Sequence, residues 1–149
     1  MAPKRNLNPK FPVVTGRHQL NATWSVDLAD KFNRRIEEDD LVLWRPGMTV
    51  FVAIWNNDQA ETVSARLAWL RGDMNPAAFD IVEDSFESSR GFAYRLDEDG
   101  DDTRVPALYA FTVAQDSHVQ LAVYFDSEND VAAALKLWKS IVQAKQEPT

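Results

Sequence analysis

The stretch Thr49-Val50-Phe51-Val52-Ala53-Ile54-Trp55 limits this chain more than any other segment. Successive side chains of a strand point to opposite faces. Phe51, Ala53 and Trp55 therefore share one face, and Val50, Val52 and Ile54 share the other. Both faces are apolar. Such a strand belongs at the centre of a sheet, covered on both sides. The chain must supply further strands to flank it and helices to cover it.

The strands follow from period and turn chemistry. Thr23–Val26 starts the apolar signal, and the reading of 27–32 is open between a helical turn and a loop. Phe32–Glu37 and Leu41–Trp44 read as two strands around the acidic turn Glu38-Asp39-Asp40. Pro46-Gly47 then has the form of a type II turn, because Pro presets φ and Gly supplies a positive one. From Phe79 the period is two. Phe79 with Ile81, then Phe92, Tyr94 and Leu96, then Tyr109, Phe111 and Val113, then Val119, Leu121, Val123 and Phe125 each mark one face of a strand. Short turns between them imply an antiparallel meander.

Two helices are expected. Asp58-Gln59-Ala60-Glu61 has the form of a capping box before a stripe of Val63, Leu67 and Leu70, and Gly72 stands where a left-handed cap belongs. Ser127 with Asp130 begins the second helix, whose stripe is Val131, Ala134, Leu135, Trp138, Ile141 and Val142. The fold class is therefore α+β, an antiparallel sheet of six or seven strands. One helix follows the central strand, and a C-terminal amphipathic helix packs on the sheet. Residues 1–17 read as a flexible arm, 18–143 as a single domain and 144–149 as a polar tail.

The closing strand Val119–Phe125, followed by a helix ending Leu137-Trp138-Lys139-Ser140-Ile141, resembles the end of Mog1/PsbP-type α/β/α sandwiches. The order of the upstream meander and helix is similar too. The resemblance implies a sheet sandwiched by helices. That fold serves unrelated roles, among them binding a small GTPase, assembling photosynthetic complexes, and bacterial proteins of unknown role. It brings no motif with it, so no functional residue carries over, and fold alone does not fix function.

Composition narrows the chemistry. At 149 residues the chain has room for one domain with a sizeable core. It has no cysteine, which removes disulfides, thiol nucleophiles and thiolate metal sites. Two histidines, His18 and His118, are too few for a multi-histidine metal centre. No apolar run is long enough to span a membrane, and the basic N-terminus lacks the apolar run of a secretory signal, so a cytoplasmic location is expected. Gly-rich phosphate loops are absent.

The net charge of −7 is unevenly placed. Residues 1–18 carry +4, and the segments 37–40 and 97–102 carry nine acids, which leaves the rest near −2. Nucleic-acid binding needs clustered Lys and Arg, so it is not expected. Asp97, Asp99 and Asp101 have the spacing of a calcium loop. Asp102 then stands where that loop needs Gly, and Leu108 where it needs Glu. Asp116, Ser117 and His118 are the residue types of a hydrolase triad, but adjacent strand residues point apart and cannot form one. His18, in a polar stretch, is expected to be solvated. Trp24, Trp44, Trp55 and Trp138 fall on apolar faces and read as core. Trp69 lies off its helix stripe beside Arg66 and is either half-buried or a partner anchor.

No catalytic residue, cofactor or metal is expected. The leading expectation is a non-enzymatic protein-binding module, of the immunity- or assembly-factor kind, that meets a basic protein partner. Its candidate residues are Glu37, Glu38, Asp39, Asp40, Trp69, Asp97, Asp99, Asp101 and Asp102, where charged tips steer association. The alternative is a small-ligand carrier or an enzyme using carboxylates in a pocket. A homodimer through a sheet edge or face is a further possibility.

Overall fold

The computed structural model describes residues 7–86, 88–97 and 105–144. These form the strands β1 (Val13–Gln19), β2 (Trp24–Glu37), β3 (Asp40–Arg45), β4 (Met48–Asn56), β5 (Phe79–Ser85), β6 (Arg90–Leu96), β7 (Ala107–Val113), β8 (Ser117–Phe125) and β9 (Val142–Gln143). They also form the helices α1 (Val63–Gly72), after β4, and α2 (Val131–Lys139), after β8. Every strand pairing is antiparallel. The order is β1-β2-β3-β4-β8-β7-β6-β5, with β9 joined to the start of β2. Among the described residues, no helix is long and apolar enough to cross a membrane.

The class is α+β, but the sheet is larger than the six or seven strands expected. The extra strands are those whose own sequences carry the weakest signal. In β1, VVTGRHQ, a polar residue stands at most positions, and the strand forms by taking up the free edge of β2. It starts at Val13, inside the stretch 1–17 read as an arm. Asn8, ahead of β1, is also tied down. Fully buried Asn33 accepts from the Asn8 backbone N–H at 2.7 Å and donates to the Asn8 carbonyl at 2.8 Å. Segment 27–32, ambiguous in the sequence, belongs to the continuous 14-residue β2.

β4 is central, with β3 on one side and β8 on the other along its full length, Met48 opposite Phe125 to Asn56 opposite Ser117. Its two faces differ. Val50 and Val52 are buried in the main core with Trp24, Leu43, Leu121, Val123 and the α2 residues Ala134, Leu137 and Trp138. The second face carries a smaller core, in which Leu67 and Leu70 of α1 pack on Phe92, Tyr94, Phe111 and Val113 of β6 and β7. Beyond β6 and β7 the ten-residue α1 extends only the Arg66 side chain, which bonds His118 of β8 and the Asn56 carbonyl of β4. Phe51 and Ala53 are thus half-buried, and Trp55 is 54% exposed rather than core. Trp44 is also only half-buried, edge-on to Phe11 at 5.1 Å and beneath Arg35. Trp24 and Trp138 are fully buried.

Local details shift as well. Helix α1 begins four residues later than the Asp58 capping box suggests, with Thr62 accepting from the Ala65 N–H. Asn57 takes residues 58–61 out of the helix by bonding both the N–H and the carbonyl of Glu61. Gly72 is the last helical residue and not a left-handed cap; Asp73, at φ −88°, closes the helix. Ser127 caps a single 3-10 turn, Glu128–Asp130, that leads into α2. α2 stops at Lys139, so Ile141 lies beyond it and Val142 begins β9.

One glycine is required by close approach. A Cβ on Gly91 of β6 would sit 2.2 Å from the Phe111 carbonyl oxygen and 3.2 Å from the Trp138 ring. The same carbonyl accepts the Trp138 indole N–H at 3.1 Å. The absent side chain is therefore what lets the Trp138 ring of α2 sit against β7 beside Gly91.

Candidate functional site

The half of the second face that α1 leaves open is an array set by register. Phe51 of β4 stands opposite Ala122 of β8, Ala53 opposite Gln120, Thr49 opposite Tyr124 and Trp55 opposite His118. Two alanines, Ala53 and Ala122, thus make a low floor. Around it stand Phe51 and Tyr124, edge-to-face at 5.8 Å, and Trp55. The result is an open cleft of about 480 Å³, bordered also by Gln120 and Asp40. The Tyr124 hydroxyl shares a hydrogen bond with that of Tyr109 at 3.1 Å, which fixes the inner wall.

A row of four contacting side chains runs from the border of the cleft to that of a second hollow. Trp55 stacks on His118, with ring centroids 6.5 Å apart. His118 accepts from Arg66 Nε at 3.1 Å. Arg66 lies over the Trp69 ring at 5.8 Å. Arg66 also holds Glu61 at 3.0 Å and the Asn56 carbonyl at 3.2 Å, so its charge is engaged. The hollow, about 410 Å³, is lined by Asn56, Asp58, Gln59, Glu61, Arg66 and Trp69, and Trp69 is 59% exposed. Burial, and then the Arg66 charge, pull the His118 pKa down to about 4, so the ring is neutral at neutral pH.

Ser117 and His118 diverge as strand neighbours must. Ser117 Oγ accepts from the buried Trp24 indole at 2.7 Å on one face, and His118 meets Arg66 on the other. Asp116 is held by Gln143 at 2.7 Å. No triad geometry results. His18, expected to be solvated, is half-buried in β1, and its pKa is lowered by burial and by Arg34. Among the described residues, no three His, Asp or Glu side chains gather as metal ligands.

The acidic candidates divide. Glu37, Glu38, Asp39 and Asp40 form the exposed tip of the β2–β3 hairpin. Glu37 pairs with Arg35 at 2.8 Å, and Asp40 reaches the cleft. Asp97 is exposed just past the end of β6. That is four strands from β3 and toward the other end of the ladder, on the order of 25 Å away. Asp99, Asp101 and Asp102 lie outside the described residues. Of the described acids, those at 37–40 border the cleft through Asp40, and Asp97 does not.

Sequence reasoning missed the cleft itself. A signal for it exists in β8, where His118, Gln120, Ala122 and Tyr124 alternate with Val119, Leu121, Val123 and Phe125. One face of that strand is polar or small where a doubly covered strand would be apolar. Comparisons with protein-family models, with curated proteins and with solved structures each return no match to this chain.

Proposed function

We propose that the protein is a non-enzymatic binding module that engages a basic protein partner through the open half of its second sheet face. One observation carries the reading. Around Ala53 and Ala122 the centre of the sheet is uncovered, and large aromatic side chains stand beside it, with Trp55 54% exposed. Exposed tryptophan next to a concave apolar surface is the make-up of an interaction hot spot. The acidic hairpin tip lies at the border of this surface, where its charge speeds encounter with a cationic partner. Trp69 extends the same surface beyond Arg66. Immunity- and assembly-factor roles both suit such a module.

The alternative, an enzyme or ligand carrier built on pocket carboxylates, finds less support. Every described Asp and Glu is exposed or half-buried. Glu83 and Asp84 border an open hollow of about 560 Å³ beside α1, but Glu83 is paired there with Arg71. The test is photo-crosslinking in the source cell, with the reactive side chain placed at position 55, 69 or 124 and, as controls, at the exposed positions 13 and 142. A discrete adduct from the first set and none from the controls supports the reading. Equal adducts from both sets, or none from the face, overturn it.

A further inference from the structure

The occupant of the cleft has a definite form. β4 and β8 are interior strands. β4 is hydrogen-bonded to β3 and β8, and β8 to β4 and β7. Their backbone groups are consumed by the ladder, so the face offers an incoming chain no backbone partners. A segment lying there must satisfy its own N–H and C=O groups, and an α-helix does so internally. Extended peptides, which gain affinity by adding to a free edge, have nothing to pair with on this face.

Spacing agrees. Strands lie roughly 4.8 Å apart and a helix is about 10 Å wide, so one helix covers about two strands. α1 covers β6 and β7. The next two strands in the sheet are β8 and β4, the pair left open. From Thr49 to Trp55 the open face runs roughly 20 Å, the length of a helix of about 14 residues. The Ala53–Ala122 floor is a recess for a bulky apolar side chain, with Phe51, Trp55 and Tyr124 around it.

Charge sets the flank. On the side away from α1 the cleft is bordered by Asp40 and the hairpin tip. Arg35 and Arg66 are engaged, with Glu37 and Glu61. The complementary helix carries Lys or Arg along that side. A second copy of this chain is disfavoured as occupant, since it brings the same acidic tip and a net −7 of its own.

We infer that the cleft over β4 and β8 receives a basic amphipathic helix of a partner protein, laid beside α1 with an apolar side chain in the Ala53–Ala122 recess. The inference rests on the binding-module reading and names its ligand. The test is titration of the isotopically labelled protein, followed by amide NMR, with three synthetic peptides of about 14 residues. The first has a leucine stripe flanked by lysine. The second has the same composition scrambled so that no stripe forms. The third has the stripe flanked by glutamate.

The first peptide is expected to bind, with shifts concentrated at residues 51, 53, 55, 120, 122 and 124. The other two should bind at least about tenfold more weakly. Ala122→Trp fills the recess and should lower affinity by about tenfold or more. Trp55→Ala, at an exposed position, serves the same purpose if Ala122→Trp fails to fold. Asp39→Lys with Asp40→Lys should weaken binding and flatten its salt dependence.

Equal binding of the scrambled peptide, or shifts centred on another surface, overturns the inference. So does a light-scattering result in which the free chain dimerises through this face. If the crosslinks described above form but the striped peptide has no advantage, the helix assignment fails and the binding-module reading stands. If face positions crosslink nothing, the module reading itself fails.

Discussion

Arg66 Nε donates to His118 Nδ1 at 3.1 Å, and this bond requires the imidazole to be neutral with its proton on Nε2. The pair joins α1 to β8 at the border of the open cleft. Protonating His118 destroys the acceptor and sets two cations against each other in a buried place.

A pH dependence follows. The unfolded histidine titrates near 6.5 and the folded one near 4. Between these values the unfolded chain holds the proton and the folded chain does not. Stability therefore falls as pH drops from 6.5 toward 4, and the loss is complete below the folded value. His118→Asn keeps an acceptor for Arg66 and removes the titration. Between about pH 7 and about pH 4.5, urea melts of the variant should lose roughly 2 kcal/mol less stability than the wild type. Equal losses would show that the ring is not buried against Arg66. His18, also lowered, acts with the same sign, so adding His18→Asn should flatten the profile further.

The acidic hairpin tip is strained. Glu38 and Asp39 have φ of 49° and 73°, the left-handed region that two-residue hairpin turns demand. Asn-Gly adopts that turn with little cost, whereas ordinary side chains there lose about 1 kcal/mol each. Glu38→Asn with Asp39→Gly should raise stability by about 2 kcal/mol and weaken binding of a cationic partner. A melt that shows no gain contradicts the strain.

Arg95 is 5% exposed, yet it is a fixed charge. It grips Glu128 with two bonds, at 3.0 and 2.9 Å, and donates to the Pro106 carbonyl at 2.8 Å. Its guanidinium lies over Phe125 at 5.3 Å. The hydrogen bond from Arg95, aided by its charge, holds the Glu128 carboxyl below the usual range. Lysine cannot reproduce a planar fork. Arg95→Lys should therefore destabilise by about 2 kcal/mol in denaturant melts, and Glu128→Gln by less, because its carboxylate is exposed. Equal, small losses would mean that the fork does not matter.

Gly91→Ala places a methyl group against the Phe111 carbonyl and the Trp138 ring. The backbone must move or α2 must lift, at about 3 kcal/mol. A thermal melt within error of the wild type would mean that the Phe111 carbonyl and the Trp138 ring do not crowd Gly91 as described.

What was legible in the sequence depended on how much each segment decides alone. The apolar alternation of 49–55 and of the 92–125 meander comes from residues that must be buried, so the central strand and the antiparallel order were readable. Pro46-Gly47 was too, and Gly47 has the positive φ, 87°, that the turn needs. β1 and β9 were not legible, because each forms on an edge that β2 provides rather than from its own pattern. Apolar residues on both faces of β4 implied cover on both faces, but coverage is set by α1's length and by where it lies. No local pattern in residues 49–55 reports that, and Trp55 was misplaced as core for this reason. The acidic residues at 37–40 were visible as charge. Their place beside the cleft came only from the pairing of β3 with β4.

The most direct test of the open face as a binding surface is comparative capture from the source cell. The immobilised wild type, Trp55→Ala with Ala122→Arg, and Val13→Ser with Val142→Ser are compared for the proteins that each retains. A basic protein held by the wild type and by the position 13 and 142 control, but lost from the Trp55 and Ala122 variant, is the predicted result. The same protein retained by all three would contradict it.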